Sequence, residues 1–399
     1  MRVVIYTGKG GVGKTSVAAA TGLLAAARGH RTLVASTDNA HSLGDALGIP
    51  LGPTPREVRP NLLGLEVDVL TEVERNWGEV HRYLLTLLAS QGVSEITAEE
   101  VVVLPGMELI TALLLLDQAE REGRYDTVIL DTAPTADTLR LLSFPTAVEW
   151  YFDHFFGLQR RLAKVVRTTV GRAMKTPIPP DNVFDAIERL HERFIRVRSL
   201  LTDPKRTTVR LVVNPEKMVI AETQRAFTYL CLFGLAVELL VVNRVFPSAA
   251  TSGYFAGIRA EQEANLATLG EAFGEVPQLP VPRYPNEVVG IAALDRLGKD
   301  LFGADDPLAV RATRAPLRFV ERSGQPAIEL DLPFTGAEQV DLSERGDTLY
   351  LTVGAYRRSI VLPYAFSGRG VVSANLDRGT FTIRFAARRP RKEVARAAA

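Results

Sequence analysis

The residues Gly8-Lys9-Gly10-Gly11-Val12-Gly13-Lys14-Thr15 could hold phosphate. They meet the pattern G-x-x-x-x-G-K-[ST] through Gly8, Gly13, Lys14 and Thr15. Glycines let successive backbone N–H groups turn inward onto phosphate oxygens. A helix starting at the end of the loop adds the partial positive charge of its N-terminus. In such a loop Lys14 reaches the β- and γ-phosphates of a nucleoside triphosphate, and Thr15 ligates Mg²⁺. The run from Gly8 to Ser16 is the candidate nucleotide-binding segment, with ATP and Mg²⁺ as the expected ligands. A glycine-rich turn without a ligand is the plain alternative. An apolar strand before the loop and a helical pattern over Lys14 to Ala27 favour the phosphate site.

Two further clusters could complete the chemistry. Ser36-Thr37-Asp38-Asn39-Ala40-His41-Ser42-Leu43-Gly44-Asp45 follows a second apolar run. Asp38 is expected at the carboxyl end of a strand neighbouring the one that feeds the loop, along the edge where open α/β sheets bind ligands. A carboxylate there can orient a water against the γ-phosphate, although an Asp in this place could also cap a helix. His41 suits a structural part of a switch better than a catalytic one. The run Thr127-Val128-Ile129-Leu130-Asp131 is an apolar strand ending in an acid. Asp131 would hold the Mg²⁺ hydration shell, and Thr132 to Thr135 would form a second switch that senses the γ-phosphate. Thr15, Asp38 and Asp131 are therefore the candidate metal-site residues. Asp38, Lys14 and Lys9 are the candidate catalytic ones.

These groups need a scaffold that brings loops to one edge. Strand-like runs fall at Val3–Thr7, Thr32–Ser36, Leu63–Val67, Thr127–Asp131, Val209–Val213 and Leu239–Asn243. Most are continuously apolar, as in a parallel sheet covered on both faces, and helical patterns separate them. The expected class is α/β: a doubly wound, mostly parallel sheet over residues 1–302. Stretches at about 70–117 and 144–200 read as an inserted helical subdomain. The second stretch carries Phe144, Trp150, Tyr151, Phe152, Phe155 and Phe156. An aromatic stripe at helical spacing can be core as well as binding surface. Residues 303–324 mix Gly, Pro and charge and read as a linker. Beyond them the period becomes two: Ile328, Leu330 and Leu332, then Leu349, Leu351 and Val353, then Phe381, Ile383 and Phe385 alternate with polar residues. This predicts a small all-β sandwich over 325–387, followed by a basic, solvated tail over 388–399.

Composition bounds the partners. The formal net charge of +1 selects neither nucleic acid nor an acidic surface. The only cysteine, Cys231, excludes a disulfide framework within one chain and argues against a Cys-rich metal site. No signal peptide or bilayer-length apolar stretch is legible, so a cytoplasmic protein without direct membrane contact is expected.

Together, GKGGVGKT, the Ser36–His41 switch and Asp131-Thr132-Ala133-Pro134-Thr135, continuing into Thr138-Leu139-Arg140-Leu141-Leu142, resemble the ArsA family of ATPases. That family includes the arsenite-pump ATPase and the ATPase that targets tail-anchored membrane proteins. The likeness covers about residues 1–300. Lys9 is similar to the second loop lysine of the deviant P-loop form, which reaches the partner subunit's ATP. The resemblance thus implies a homodimer, although a loop lysine could also face solvent. Asn214-Pro215-Glu216 and Glu222-Thr223-Gln224-Arg225 resemble a family stretch whose first Glu contacts nucleotide, which points to Glu216. Asn243 resembles the strand-end Asn that recognises adenine, a role its amide suits. Pro282 to Gly290 resembles the loop over the base. Asn39 replaces the family's usual Pro, and Ala136-Asp137 replace its Gly-His, so switch motion should differ. With one cysteine, neither the zinc clamp of the eukaryotic targeting enzymes nor a thiol metalloid site is expected. The C-terminal strands, with Leu342 to Leu349, Arg357-Arg358 and Leu362-Pro363, resemble the α-crystallin domain of small heat-shock proteins.

The leading expectation is a Mg-ATP-hydrolysing homodimer that binds and releases a hydrophobic protein client, which could be a tail-anchored protein. A holdase whose ATPase only regulates assembly is the alternative. A MinD-like positioning ATPase and an arsenite-stimulated transport subunit fit less well.

Overall fold

The computed structural model describes residues 1–38, 42–68, 78, 82–83, 85–86, 107–132, 180–247, 254–312, 314–322 and 324–386. They fall into two compact units, one comprising Met1–Ala226 and Leu235–Arg314, the other Phe227–Gly234 and Ala315–Ala399.

The first unit is built on an eight-stranded sheet. Its strands are β1 (Arg2–Thr7), β2 (Thr32–Ser36), β3 (Arg56–Arg59), β4 (Leu62–Glu66), β5 (Thr127–Asp131), β6 (Thr207–Val213), β7 (Val237–Val245) and β8 (Gln278–Pro282). The order is β3-β4-β2-β5-β1-β6-β7-β8, parallel throughout except for β3, which runs antiparallel to β4. The described helices are α1 (Lys14–Ala27), α2 (Ser42–Leu47), α3 (Met107–Glu122), α4 (Asp181–Thr202), α5 (Lys217–Leu232), α6 (Tyr254–Ala272) and α7 (Ile291–Phe302). The apolar runs of β1, β2, β5 and β6 are buried along nearly their whole length, as a sheet covered on both faces requires. Helix α1 is rich in Ala because it lies between the sheet and α7, which presents Leu294, Leu297, Leu301 and Phe302 as one apolar stripe.

The strand order corrects one expectation. β5, not β2, lies beside β1 on that side of the sheet, so Asp131 belongs to the strand neighbouring the phosphate loop and Asp38 to the next one out. Helical crossovers leave the lateral order of parallel strands open, and sequence adjacency is only a weak guide to it. Two edge strands also escaped the pattern. β3 is short and charged, and β8 carries Pro280 and Pro282, which suit only an edge. Most of the predicted helical subdomain, including its aromatic segment, lies outside the described residues. Its described part includes α3 and α4, joined where buried Asp117 accepts from Arg193 Nε at 2.8 Å and Arg196 Nε at 2.9 Å.

A buried ionic cluster links β1, β6 and β7. Glu238 on β7 accepts from Arg210 Nε on β6 at 2.8 Å and from Arg2 on β1 at 3.0 Å. Arg210 also donates to the Tyr6 hydroxyl at 3.0 Å, and that hydroxyl pairs with Thr21 of α1 at 2.7 Å. Burial pushes the Glu238 carboxyl up, but Arg210 and Arg2 outweigh it and hold it below its ordinary value.

The second unit is an antiparallel β-sandwich. One sheet orders β14 (Val371–Asp377), β15 (Thr380–Phe385), β10 (Gln325–Asp331) and β9 (Leu317–Arg322); the other orders β11 (Val340–Arg345), β12 (Thr348–Val353) and β13 (Tyr356–Val361). The alternating residues Ile328, Leu330, Leu349, Leu351, Val353, Phe381, Ile383 and Phe385 share one core, as their period of two requires. The stretch 303–324, read as a linker, includes β9, which pairs with β10. The sandwich core also takes Leu232 from the end of α5, and the Tyr229 ring lies 4.3 Å from that of Tyr356. Arg358 donates to the Leu232 carbonyl.

Candidate active site

At the carboxyl edge of the first sheet, β1 ends at Thr7 and the chain turns into the loop at Gly8. Gly8 has φ 151°, and a Cβ there would lie 2.3 Å from the Val212 carbonyl oxygen of β6. Gly13, the residue before α1, has φ 97°, and its Cβ would lie 2.4 Å from Asn243 Nδ2. Only glycine satisfies both positions. A Cβ on Gly10 or Gly11 would meet nothing within 4 Å. The middle of the loop therefore borders open space, directly before a helix N-terminus, where a chain of phosphates can lie.

Lys14 is buried, and its Nζ lies 3.4 Å from the Lys9 carbonyl oxygen, folded back over its own loop. Burial pulls its pKa down, while the charges of Asp131, Asp38 and Glu222 pull it up. Thr15 Oγ1 lies 3.2 Å from Ser42 Oγ at the start of α2. Ser16 is the next residue of α1 and lines the pocket described below.

Asp131 is fully buried. Its Oδ2 accepts from Ser36 Oγ at 3.1 Å, while Oδ1 has no hydrogen-bond partner among the described residues. Burial pushes the carboxyl up to about 6, against the Thr15 hydroxyl, Lys14 and Ser36, which pull it down. A carboxylate oxygen of this kind beside a threonine hydroxyl is an oxygen donor pair that suits Mg²⁺, while the nearby Lys14 suits the phosphates. Ser36 Oγ also accepts from the Asp38 backbone N–H at 3.3 Å, so one hydroxyl ties both acids to the same strand end. Asn39, Ala40, His41 and the second switch from Ala133 onward lie outside the described residues.

Asn243 reaches back from β7 and donates through Nδ2 to the Val12 carbonyl at 2.7 Å. Its Oδ1 accepts from the Arg244 N–H at 2.9 Å. Both ends of the amide are thus used within the protein, and pairing with an adenine edge requires the side chain to rotate. Beside it lies a pocket of about 540 Å³, lined among others by Gly13, Ser16, Asn243, Pro282, Asn286 and Val289. The segment expected to cover a base forms the wall of this pocket.

Glu216 is exposed ahead of α5, and among the described residues no hydrogen bond or ion pair joins its carboxylate to the loop. Glu222, further along on α5, approaches the loop, with Oε2 3.8 Å from Lys9 Nζ. Ser36, Ser42 and Glu222 are the members that sequence reasoning left without a role. All three sit in or beside the motifs, but their significance depends on pairings across elements.

A parallel sheet with this loop at the end of a central strand and a buried acid at the end of the adjacent one defines a P-loop nucleoside triphosphatase. The model of the anion-transporting ATPase family ArsA matches residues 1–303, and that of the HSP20-like domain found in ArsA matches residues 324–385. The chain belongs to the ArsA family: it is an ArsA-family ATPase that carries an HSP20-like domain. A protein of Chlorobaculum tepidum named "Putative arsenical pump-driving ATPase" is 36% identical over 371 residues, which cover 92% of each chain. A protein of Aquifex aeolicus with a similar name is 36% identical over 373 residues, covering 91% of this chain and 94% of that one. More distant is the "ATPase ASNA1 homolog" of Entamoeba histolytica, 28% identical over 306 residues, covering 75% of this chain and 93% of its own. Among the described residues no helix is long and apolar enough to cross a membrane.

Proposed function

We propose that the protein is a Mg-ATP-driven homodimer whose opening and closing bind and release a hydrophobic protein client. The observation that carries the catalytic part is the convergence of Lys14, Asp38 and Asp131 on the loop, with Ser36 bonded to both acids. Lys14 neutralises the terminal phosphates. Asp38 orients a water against the γ-phosphorus: the new P–O bond forms as the bond to the bridging oxygen breaks, ADP leaves, and the water's protons pass to phosphate and solvent. Thr15 and Asp131 would hold Mg²⁺, which supplies charge neutralisation across the β- and γ-phosphates. Asn243 and the segment from Pro282 to Gly290 would frame the adenine. Lys9 would act on the nucleotide of the second protomer.

The client part is supported by the attached HSP20-like domain and by the motif resemblance drawn from the sequence. Client protection assayed with ATP, without ATP and with a non-hydrolysable analogue tests it. Protection of an aggregating hydrophobic substrate should change with nucleotide state, and equal protection under all conditions would sink the cycle. One observation favours the holdase as a second reading. The edge strand β14 is largely exposed and shows Val372 at 62% exposure, as a strand able to pair with another chain would. That reading predicts protection independent of nucleotide. The arsenical role in the relatives' names is not extended to this chain. Its one thiol, Cys231, is buried in the sandwich unit, and burial pushes its pKa up, away from the thiolate that metalloid ligation needs.

A further inference from the structure

The loop lysine expected to serve a partner's nucleotide is not idle in the single chain. Lys9 Nζ lies 3.8 Å from Glu222 Oε2, and both side chains are about one third exposed, at 36% and 34%. Among the described residues Glu222 is the only acid within ion-pair reach of Lys9. Its carboxylate also acts on Lys14, so it sits within the field of both lysines of the phosphate loop. A carboxylate in that position opposes any polyanion the loop is built to hold. Glu222 lies on α5, outside the loop itself, so it contributes no backbone N–H to a phosphate cradle. Its one electrostatic service is to the ammonium groups.

We propose that Glu222 is a positioning residue for Lys9, holding its ammonium within its own protomer until the phosphates of a partner's nucleotide draw it away. This rests on the reading of the chain as an ATP-dependent homodimer. The physical logic is a competition between two anions for one cation. With no triphosphate opposite, Glu222 is the anion nearest Lys9 among the described residues and keeps it against α5. A triphosphate presented by a second protomer carries more charge and takes Lys9 over. The pair is partly exposed and its geometry loose, so it is weak enough to be exchanged rather than locked. Such a counter-ion sets a threshold: the dimer closes only when both the partner and its nucleotide are present, and Lys9 is kept from neutralising phosphates in its own site.

Sedimentation velocity over a titration with Mg²⁺ and a non-hydrolysable ATP analogue tests this on the full chain. Glu222→Gln keeps the shape of the side chain and removes the charge. It should lower the analogue concentration at half-maximal dimer by about two- to fivefold, the range a partly exposed ion pair supports. The shift should shrink as salt rises from low to physiological concentration. In a Lys9→Ala background the same substitution should lose most of that shift. Glu222→Ala, checked for an unchanged melting temperature, guards against an effect peculiar to glutamine. An unchanged threshold in both variants, or a full shift persisting without Lys9, overturns the role of Glu222 and leaves the ATP-dependent dimer standing. A wild-type chain that binds a fluorescent ATP analogue but stays monomeric overturns the dimer reading and this role with it. A wild-type chain that binds no analogue overturns the nucleotide reading as well.

Discussion

Ser36 Oγ donates to Asp131 Oδ2 at 3.1 Å, from one strand end to the next, in a fully buried position. Among the described residues, Oδ1 of the same carboxylate has no hydrogen-bond partner. A buried acid with one satisfied oxygen is a stability cost held in readiness for a cation.

The first prediction follows from that cost. The folded pKa of Asp131 is raised to about 6 from an ordinary 3.8, so the stability it contributes is fully present below pH 3.8 and is lost as pH rises through 6. The difference corresponds to on the order of 3 kcal/mol at most. Without Mg²⁺ and nucleotide, Asp131→Asn should melt at a higher temperature than the wild type at pH 8, and by only about half as much at pH 5, inside the window between the two pKa values. Its Mg-dependent hydrolysis should fall by about a hundredfold or more. Thermal melts at the two pH values, with an assay of phosphate release, check both.

Asp38→Asn should leave binding of a fluorescent ATP analogue within about twofold and lower turnover by about tenfold or more. The amide keeps the volume beside Ser36 but loses the charge that orients water. Turnover equal to the wild type in a steady-state phosphate assay would remove Asp38 from the mechanism.

Asn243→Ala removes the hydrogen bond to Val12 that braces the loop and one wall of the adjoining pocket. The KM for ATP should rise by about tenfold, and discrimination against GTP should narrow. Asn243→Ser, with a shorter hydrogen-bonding group, should fall between. Competition kinetics with the two triphosphates measure the split.

Glu238→Gln should cost the first unit about 3–5 kcal/mol, because Arg2 and Arg210 stay buried without their counter-charge. Glu238 is held below its ordinary 4.5, so its contribution is present above pH 4.5 and lost as pH falls through the lower, folded value. The wild type should therefore lose stability on the acid side of pH 4.5, and the variant should lack most of that slope. Urea titrations from pH 3.5 to 7 read both effects.

Truncation after Arg314 removes the strands that cover Tyr229 and Leu232 in the sandwich core. The shortened chain should expose apolar surface, bind a hydrophobic dye and aggregate at lower temperature than the full chain. Leu351→Ala, which opens a cavity without removing the strands, should destabilise by about 2–5 kcal/mol and leave ATP hydrolysis in place. These outcomes make a simple deletion a poor test of where clients bind.

Much of this protein is local and so was legible in its residues. Phosphate binding at Gly8 to Thr15 needs consecutive backbone groups, and the acid at the end of β5 follows from one apolar run. The alternation that identifies the sandwich is likewise a property of neighbouring residues. What only the tertiary structure decided are the relations between segments far apart in the chain. These include the insertion of β5 between β1 and β2, the return of Asn243 to Val12, and the approach of Glu222 to Lys9. They also include the passage of Tyr229 and Leu232 into a core built about a hundred residues later. The physical reason is the same in each case. Periodicity reports which face of an element is buried, but lateral order and side-chain pairing depend on packing between elements whose connections leave both open.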